Sequence, residues 1–315
     1  MRTVNAPRIT RTRRLCQVAL LCLLCLLCQP IFAATPKATP LLGQITHVLL
    51  ATTLIRPLSR KEPRREVIVY TPPGYNNPAN VNTRYPVLYL LHGSPGHPSD
   101  FLNFGDWPRI LEQTPGLTPT ILVIPDGNYV GEKHGDSEWA NSADGRDRFE
   151  DFVVRQVVSW TDAHYRTQTN SAGRFIGGVS EGGYGAVNLT LRHPDVFGGA
   201  LACSGYYDNQ GAGWARPILG YNAVFLRANS PLDYVGDAIT AGRVPPAWKA
   251  LHIFLGAGDD EKRYYIETRA MAAKLKDAGV PVTLDILDGK HGWGLWNQLF
   301  TSGAKTLLAA PSGGG

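Results

Sequence analysis

The stretch Gly178-Val179-Ser180-Glu181-Gly182 decides how this sequence is interpreted, because it has the form G-x-S-x-G. Residues 174–177 before it read as a short buried strand, and residues 183–191 after it read as a helix. A serine at a sharp turn from strand to helix is presented as a nucleophile, and flanking glycines permit the strained backbone that such a turn needs. The same motif also occurs in glycine-rich turns without a catalytic role, so the rest of the chain must support the interpretation.

The bulk composition is that of a soluble globular protein. The chain has 315 residues, of which 43% are hydrophobic and 18% charged, enough for one large α/β domain or two smaller ones. The formal net charge of +5 comes from the first 33 residues, which contain five arginines and no acidic residue. Subtracting those five from the 31 basic residues leaves 26, equal to the 26 acidic residues. A basic surface that binds nucleic acid is therefore not predicted.

The first 33 residues are typical of a signal peptide. Positive charge at residues 11–14 precedes an apolar run of 14 residues from Leu15 to Cys28, which is short for a membrane span. Small residues at Ala33 and Ala34 offer a cleavage site. An uncleaved anchor helix is the alternative. We therefore expect export to the periplasm or beyond, with no transmembrane span after removal of the signal.

The cysteines and histidines argue against a metal or redox centre. Four of the five cysteines lie inside the apolar run, so only Cys203 remains in the expected mature chain and no intramolecular disulfide can form. No pair of cysteines and no H-E-x-x-H pattern is available there as metal ligands. The sequence predicts neither a metal nor a cofactor.

Strand and helix patterns alternate along the chain, and several strands are apolar on both faces. This pattern predicts a mostly parallel sheet with helices on both faces, in one α/β domain over residues 44–305. Residues 34–43 are expected to be a flexible mature N-terminus and residues 306–315 a frayed tail. The predicted core strands are 86–91, 121–127, 174–177, 197–204, 251–255 and 281–287, and the main helices are 148–165, 183–193, 264–278 and 292–302.

A serine nucleophile needs a base, and the chain supplies candidates in the order Ser, acid, His. His291 follows the last predicted strand and is the expected base. Asp259 and Asp260 follow the strand over 251–255, and spacing does not choose between them, with Glu261 as a more distant alternative. Because the carboxyl ends of parallel strands share one edge of a sheet, these groups are expected to meet Ser180 there.

The remaining site residues are assigned from their places in the chain. The oxyanion of a tetrahedral intermediate would be bound by the backbone N–H of Glu181 and by that of Ser94, since Pro95 has no N–H. Trp139, Asn141 and Trp293 are expected to contact the substrate, whereas Trp296 is expected in the core. The Glu181 carboxylate would either favour a cationic or polar substrate or point to solvent. His92 is interpreted as a structural residue of its loop.

Several longer motifs, most of them away from Ser180, match those of a known family. The chain resembles the Putative esterase family of α/β-hydrolases, which includes S-formylglutathione hydrolases, enterochelin-esterase-like proteins, feruloyl esterases and mycolyltransferases. The resemblance covers residues 67–300 and depends on V-I-V-Y-T-P-P-G-Y at 67–75, Y-P-V-L-Y-L-L-H-G at 85–93, I-P-D-G at 124–127, F-I-G-G-V-S-E-G-G-Y-G-A at 175–186, H-P-D-V-F at 193–197 and D-G-K-H-G-W-G-L-W at 288–296.

The resemblance implies a carboxylic-ester hydrolase with Ser180, His291 and an Asp at 259 or 260. Together with the signal peptide, this predicts an exported serine esterase that works through an acyl-enzyme. Its substrate would be a small-molecule or cell-envelope ester, and it would need no cofactor. One alternative is acyl transfer on the same triad to a sugar or lipid alcohol. Another is a non-catalytic protein that binds carbohydrate or the cell envelope and keeps the fold. The sequence specifies no oligomeric state.

Overall fold

Apolar runs form the central strands, because both of their faces are covered by helices. The computed structural model describes residues 40–57, 64–128 and 137–310. The predicted signal peptide and most of the predicted flexible segment fall in residues 1–39, outside the described residues. From Leu41 onward, the described residues form one compact unit.

Eight strands of the described residues form one sheet, in the order β1-β2-β4-β3-β5-β6-β7-β8. β1 and β2 pair antiparallel with each other, and β2 pairs antiparallel with β4. All other neighbours run parallel. The strands are β1 Gln44–Ala51, β2 Arg64–Thr71, β3 Val87–Leu91, β4 Ile121–Pro125, β5 Arg174–Val179, β6 Gly199–Cys203, β7 His252–Gly258 and β8 Val282–Leu287.

The helices cover the sheet on both sides. They are α1 Asp100–Asn103, α2 Trp107–Gln113, α3 Phe149–Asp151, α4 Val158–His164, α5 Glu181–Arg192, α6 Arg216–Leu219, α7 Ala223–Ala228, α8 Pro231–Thr240, α9 Arg263–Asp277 and α10 Trp293–Leu307. A π-helical stretch, Phe152–Val157, joins α3 to α4 within the predicted helix over 148–165. In the described part of the chain, no helix is both long and apolar enough to cross a membrane.

Alternate residues of the central strands enter two separate cores, as the two-residue period of a strand requires. In β3, Val87 and Tyr89 belong to the core under α4, α5 and α9, whereas Leu88 and Leu90 belong to the core under α2 and α10. All five residues of this strand are buried. The predicted α/β-hydrolase architecture, a mostly parallel sheet with helices on both faces, is confirmed.

The predicted frayed tail is wrong over residues 306–310. The last helix continues to Leu307, one turn past its predicted end. The Leu308 carbonyl then accepts from the Thr118 N–H at 2.8 Å, and the Ala310 N–H donates to the Gly116 carbonyl at 2.8 Å. These backbone hydrogen bonds to another loop hold the segment in place. Residues 311–315 lie outside the described residues.

The topology brings four loops together at the carboxyl edge of the parallel strands. Ser180 follows β5 near the middle of the sheet, and residues 92–96 follow the neighbouring β3. Residues 259–262 follow β7, and residues 288–292 follow β8 at the edge. In open parallel sheets this edge is where ligands bind.

Candidate active site

Ser180 lies in a strained turn that its glycine neighbours make possible. Its φ of 55° and ψ of −118° place a non-glycine residue in a sparsely populated backbone region. A Cβ on Gly182 would lie 1.9 Å from the Leu91 carbonyl oxygen, and one on Gly178 would lie 2.5 Å from the Gly182 carbonyl. The Ser180 N–H donates to the Cys203 carbonyl at 2.9 Å. Backbone contacts therefore fix the turn, and they hold Ser180 at the N-cap position of α5.

His291 contacts the Ser180 hydroxyl, as the sequence predicts. Its Nε2 lies 2.9 Å from the Ser180 Oγ. Its Nδ1 lies 2.6 Å from Oε1 of Glu261, whose side chain is fully buried. Because a carboxylate only accepts hydrogen bonds, Nδ1 is the donor in this pair, and Nε2 can then accept from the serine hydroxyl.

The prediction that Asp259 or Asp260 pairs with His291 is wrong, because Glu261 occupies that position. Both aspartates are exposed. Asp259 extends the strand pairing through its N–H to the Leu287 carbonyl, and its Oδ1 accepts from the Gly289 N–H at 3.2 Å. The chain turns after Asp260, and the longer Glu261 side chain reaches the Nδ1 edge of the imidazole.

Three donors hold the Glu261 carboxylate in this orientation. Oε1 accepts from His291, while Oε2 accepts from the Ser204 hydroxyl at 2.8 Å and from the Gly258 N–H at 2.5 Å. Ser204 in turn accepts from the Trp296 indole N–H at 3.0 Å. A network of this kind fixes a buried carboxylate against its histidine. Trp296, expected in the core, also packs edge-on against the His291 ring at 4.9 Å between ring centroids.

The loop after β3 approaches the nucleophile closely. A Cβ on Gly93 would lie 3.1 Å from the Ser180 Cβ, so glycine is what allows this approach. His92 fixes the loop, because its Nδ1 donates to the Gly93 carbonyl at 2.9 Å and its Nε2 accepts from the Gly127 N–H at 3.0 Å. Ser94 lines the same cavity as Ser180 and Glu181. The two residues assigned to oxyanion binding are therefore both beside the serine.

A cavity of about 170 Å3 opens at Ser180. Aromatic side chains from three different loops or helices form much of its wall. None of these aromatic residues was predicted, since their positions depend on how residues 205–264 fold over the sheet edge. The cavity is lined by Ser94, Ser180, Glu181, Tyr206, Trp214 and Tyr264.

The three predicted substrate contacts are not among these lining residues. Trp139 is fully buried, stacks edge-on against His92 and donates from its indole to the His92 carbonyl at 3.1 Å. Asn141 donates to the Asp151 carboxylate at 3.0 Å. Trp293 packs in an aromatic cluster with Phe101, Phe104, Trp107 and Trp296. All three side chains are engaged within the fold.

The Glu181 side chain does not point to solvent, since the residue is 3% exposed. Its carboxylate accepts from the Ser137 hydroxyl at 3.4 Å. Nearby, the Tyr206 hydroxyl donates to Oε2 of Glu138 at 2.6 Å. Burial, and then the carboxylates of Glu138 and Glu181, raise the pKa of Tyr206 well above its usual value. One wall of the cavity therefore combines the protonated phenol of Tyr206 with the buried Glu181 side chain, and Glu138 lies behind the phenol as its hydrogen-bond acceptor.

A second cavity, of about 180 Å3, lies at the opposite edge of the sheet, near the amino end of β4. Its walls include Pro72, Leu111 and Glu112. The Glu112 carboxylate is engaged by the Gly43 N–H at 2.8 Å and the Tyr70 hydroxyl at 3.1 Å. No His, Cys or Ser lines it. Among the described residues, no group of three or more His, Cys, Asp or Glu side chains is placed to hold a metal ion.

Curated relatives include esterases. The chain is 37% identical to an esterase of Mycobacterium tuberculosis over 121 residues, which is 38% of this chain and 25% of the relative. The match thus spans about a quarter of that relative's length. It is 26% identical to an acetyl esterase of Caldicellulosiruptor saccharolyticus over 228 residues, which is 67% of this chain and 79% of the relative.

Solved structures share the fold over most of the chain. A ferulic acid esterase superimposes with a TM-score of 0.72 at 21% identity, covering 84% of this chain and 97% of that one. An S-formylglutathione hydrolase from Agrobacterium tumefaciens gives a TM-score of 0.69 at 16% identity, covering 86% and 96%. The model of the Putative esterase family matches residues 59–307, more than half of the sequence. The chain therefore belongs to the Putative esterase family of α/β-hydrolases.

Proposed function

We propose that the protein is a serine carboxylic-ester hydrolase that uses Ser180, His291 and Glu261 as its catalytic triad. The observation that supports this most directly is the hydrogen-bonded series Glu261–His291–Ser180, with separations of 2.6 Å and 2.9 Å, ending at a strained nucleophile turn. A packing histidine would not need a fully buried carboxylate on one nitrogen and a turn serine on the other. Family membership favours the same chemistry.

In the first step, Ser180 Oγ attacks the ester carbonyl while His291 Nε2 removes the hydroxyl proton. Glu261 orients the imidazole and stabilises the imidazolium that forms. The N–H groups of Glu181 and Ser94 bind the oxyanion, helped by the positive end of the α5 dipole. Collapse of the intermediate releases the alcohol, which takes its proton from His291. The acyl-enzyme is then hydrolysed by a water that His291 activates in the same way.

The size of the cavity favours esters of short acyl groups. At about 170 Å3, it is smaller than the roughly 300–1,000 Å3 of sites for drug-sized ligands. The similarity to an acetyl esterase points in the same direction. We propose acyl groups from acetyl to butyryl, on a small-molecule or cell-envelope alcohol.

Export is a separate part of this proposal, supported by the charge and apolar run of residues 1–33. Expression of the full chain in a bacterial host, followed by mass spectrometry of the periplasmic and culture fractions, tests it. A mature form that begins near residue 34 or 35 is expected. Recovery of only the full-length chain in membrane or cytoplasm would contradict export.

Hydrolysis of p-nitrophenyl esters from acetyl to octanoyl by the mature protein, with Ser180→Ala in parallel, tests the activity. We expect wild type to prefer the short esters and the variant to be at least ~10³-fold slower, because the nucleophile is lost. Thermal unfolding of both proteins shows whether they are folded.

The products distinguish hydrolysis from the two alternative functions. With an added alcohol, free acid as the main product supports hydrolysis, whereas a new ester that depends on Ser180 supports acyl transfer. Equal inactivity of folded wild type and folded Ser180→Ala would contradict the proposed function and favour a binding role.

A further inference from the structure

Tyr264 lies against the proposed base from a direction that the triad does not use. Its ring stacks on the His291 imidazole, with 4.2 Å between centroids and 25° between planes. It belongs to the first turn of α9, three residues after Glu261, and its N–H donates to the Glu261 carbonyl at 3.1 Å. One turn of chain thus places the acid at one edge of the imidazole and an aromatic ring over its face.

The phenol of Tyr264 faces the nucleophile. Tyr264 and Ser180 line the same cavity. Burial is the largest influence on the pKa of Tyr264 and raises it above the usual value of 10. The interaction of its hydroxyl with the Ser180 side chain lowers this pKa, but by less than burial raises it. The hydroxyl therefore keeps its proton at neutral pH and is a hydrogen-bond donor beside Ser180 Oγ.

The proposed chemistry defines which substrate atom this donor meets. The carbonyl oxygen of the ester lies towards the N–H groups of Glu181 and Ser94, which bind the oxyanion. The alcohol oxygen must lie near His291 Nε2, because that nitrogen delivers its proton. A phenol on a ring stacked against His291, reaching towards Ser180, therefore borders the alcohol side of the reacting carbon.

We propose that Tyr264 is a further catalytic residue, whose hydroxyl donates a hydrogen bond to the alcohol oxygen of the ester as the alcohol leaves. This inference rests on the proposed esterase function. In this step the bond between the acyl carbon and the alcohol oxygen breaks, and its electron pair stays on that oxygen. The oxygen receives its proton from His291 Nε2, the acyl carbon remains bonded to Ser180 Oγ, and the phenolic proton stays on Tyr264.

The stabilisation depends on how much negative charge the leaving oxygen carries. An alkoxide is strongly basic and gains from a hydrogen bond, whereas p-nitrophenolate spreads its charge over the ring and nitro group and gains less. Loss of the phenolic hydroxyl should therefore slow alkyl esters more than p-nitrophenyl esters of the same acid. A purely structural role for the ring would predict equal effects on both.

Tyr264→Phe keeps the ring and removes only the hydroxyl. We measure kcat/KM for ethyl acetate and p-nitrophenyl acetate, since this parameter covers the steps up to release of the alcohol. We expect Tyr264→Phe to lower kcat/KM about tenfold more for ethyl acetate than for p-nitrophenyl acetate. A tenfold difference corresponds to one hydrogen bond of about 1.4 kcal/mol. Tyr265→Phe is the matched control, because Tyr265 is the next residue of α9 and does not line the cavity.

The outcome depends on the ratio between the loss of kcat/KM on ethyl acetate and the loss on p-nitrophenyl acetate. Equal losses on both esters, or no loss on either, would overturn the proposal, provided that thermal unfolding shows a folded variant. Tyr264→Leu, which also removes the ring, should retain the larger loss on ethyl acetate and provides the same ratio if Tyr264→Phe does not fold. Failure of the esterase function itself is recognised separately, because Ser180→Ala would then match wild type on both substrates.

Discussion

Two loops at the same edge of the sheet place the groups of the proposed triad by different physical means. In the nucleophile turn, residues 178–182, carbonyl oxygens approach so closely that a side chain on Gly178 or Gly182 would overlap them. In the acid loop, residues 258–262, three successive residues carry carboxylates and only Glu261 reaches His291. Close backbone contacts can be recognised in the sequence, because they require glycine. Which of three neighbouring carboxylates reaches the histidine cannot be recognised there, because all three residues are compatible with the loop.

The largest expected effect comes from crowding the nucleophile turn. Gly182→Ala should lower the free energy of unfolding by roughly 4 kcal/mol or more, because the new Cβ would meet the Leu91 carbonyl at 1.9 Å. Gly294→Ala is the matched control, since Gly294 lies in α10 with no atom within 4 Å of an added Cβ. Alanine there should stabilise by up to about 1 kcal/mol.

Urea unfolding of the two variants beside wild type measures the difference. If Gly182→Ala unfolds at the same urea concentration as wild type, the nucleophile turn tolerates a side chain and the contrast with the acid loop disappears.

The second prediction concerns which carboxylate of the acid loop orients His291. Glu261→Gln should lower kcat by roughly 10³- to 10⁴-fold, because its amide N–H₂ conflicts with at least one of the donors that surround the carboxylate and disturbs the histidine tautomer. Asp259→Asn and Asp260→Asn remove the same charge from exposed positions and should stay within about twofold of wild type. Turnover of p-nitrophenyl acetate by all three variants provides the comparison.

A large loss in Asp259→Asn or Asp260→Asn, with Glu261→Gln active, would restore the acid that sequence order favours. It would also mean that the acid loop rearranges when substrate binds.

The smallest effect concerns the support of the acid. Ser204→Ala removes one donor to Glu261 and leaves the Trp296 indole N–H without its acceptor. We expect kcat to fall about tenfold, because neighbours that orient a functional side chain typically contribute on this scale. In the double variant Ser204→Ala/Glu261→Gln, the two losses should not add, since both act through the orientation of His291.

Steady-state kinetics on the two single variants and the double variant complete this cycle. Strictly additive losses would show that Ser204 acts independently of Glu261, for example through the packing of Trp296 alone.

The fold could be predicted because its determinants are short and local. Apolar runs such as 86–91 identify buried strands, and the order of strands and loops places Ser180 and His291 at one edge. The acid could be narrowed only to three neighbouring carboxylates, because loop length and rotamer decide which one turns inward.

Aromatic residues were the least predictable part of the site. Trp139 fills space left by two glycines, since a Cβ on Gly127 or Gly185 would lie 2.3 Å or 2.8 Å from atoms of its side chain. Tyr206, Trp214 and Tyr264 line the cavity instead. Residue type does not reveal whether a loop aromatic turns into the core or towards the ligand, because both places bury a ring.

The positions of Ser180 and His291 along the chain also determine when the site can be completed during synthesis. Ser180 belongs to a central strand turn, while His291 follows the edge strand β8 and lies 111 residues later. At about 5–20 residues per second, a ribosome needs roughly 6–22 s to travel between them. A nascent chain with Ser180 already in place would still lack its proposed base, so under the proposed mechanism it could not attack esters until the residues after β8 have been added.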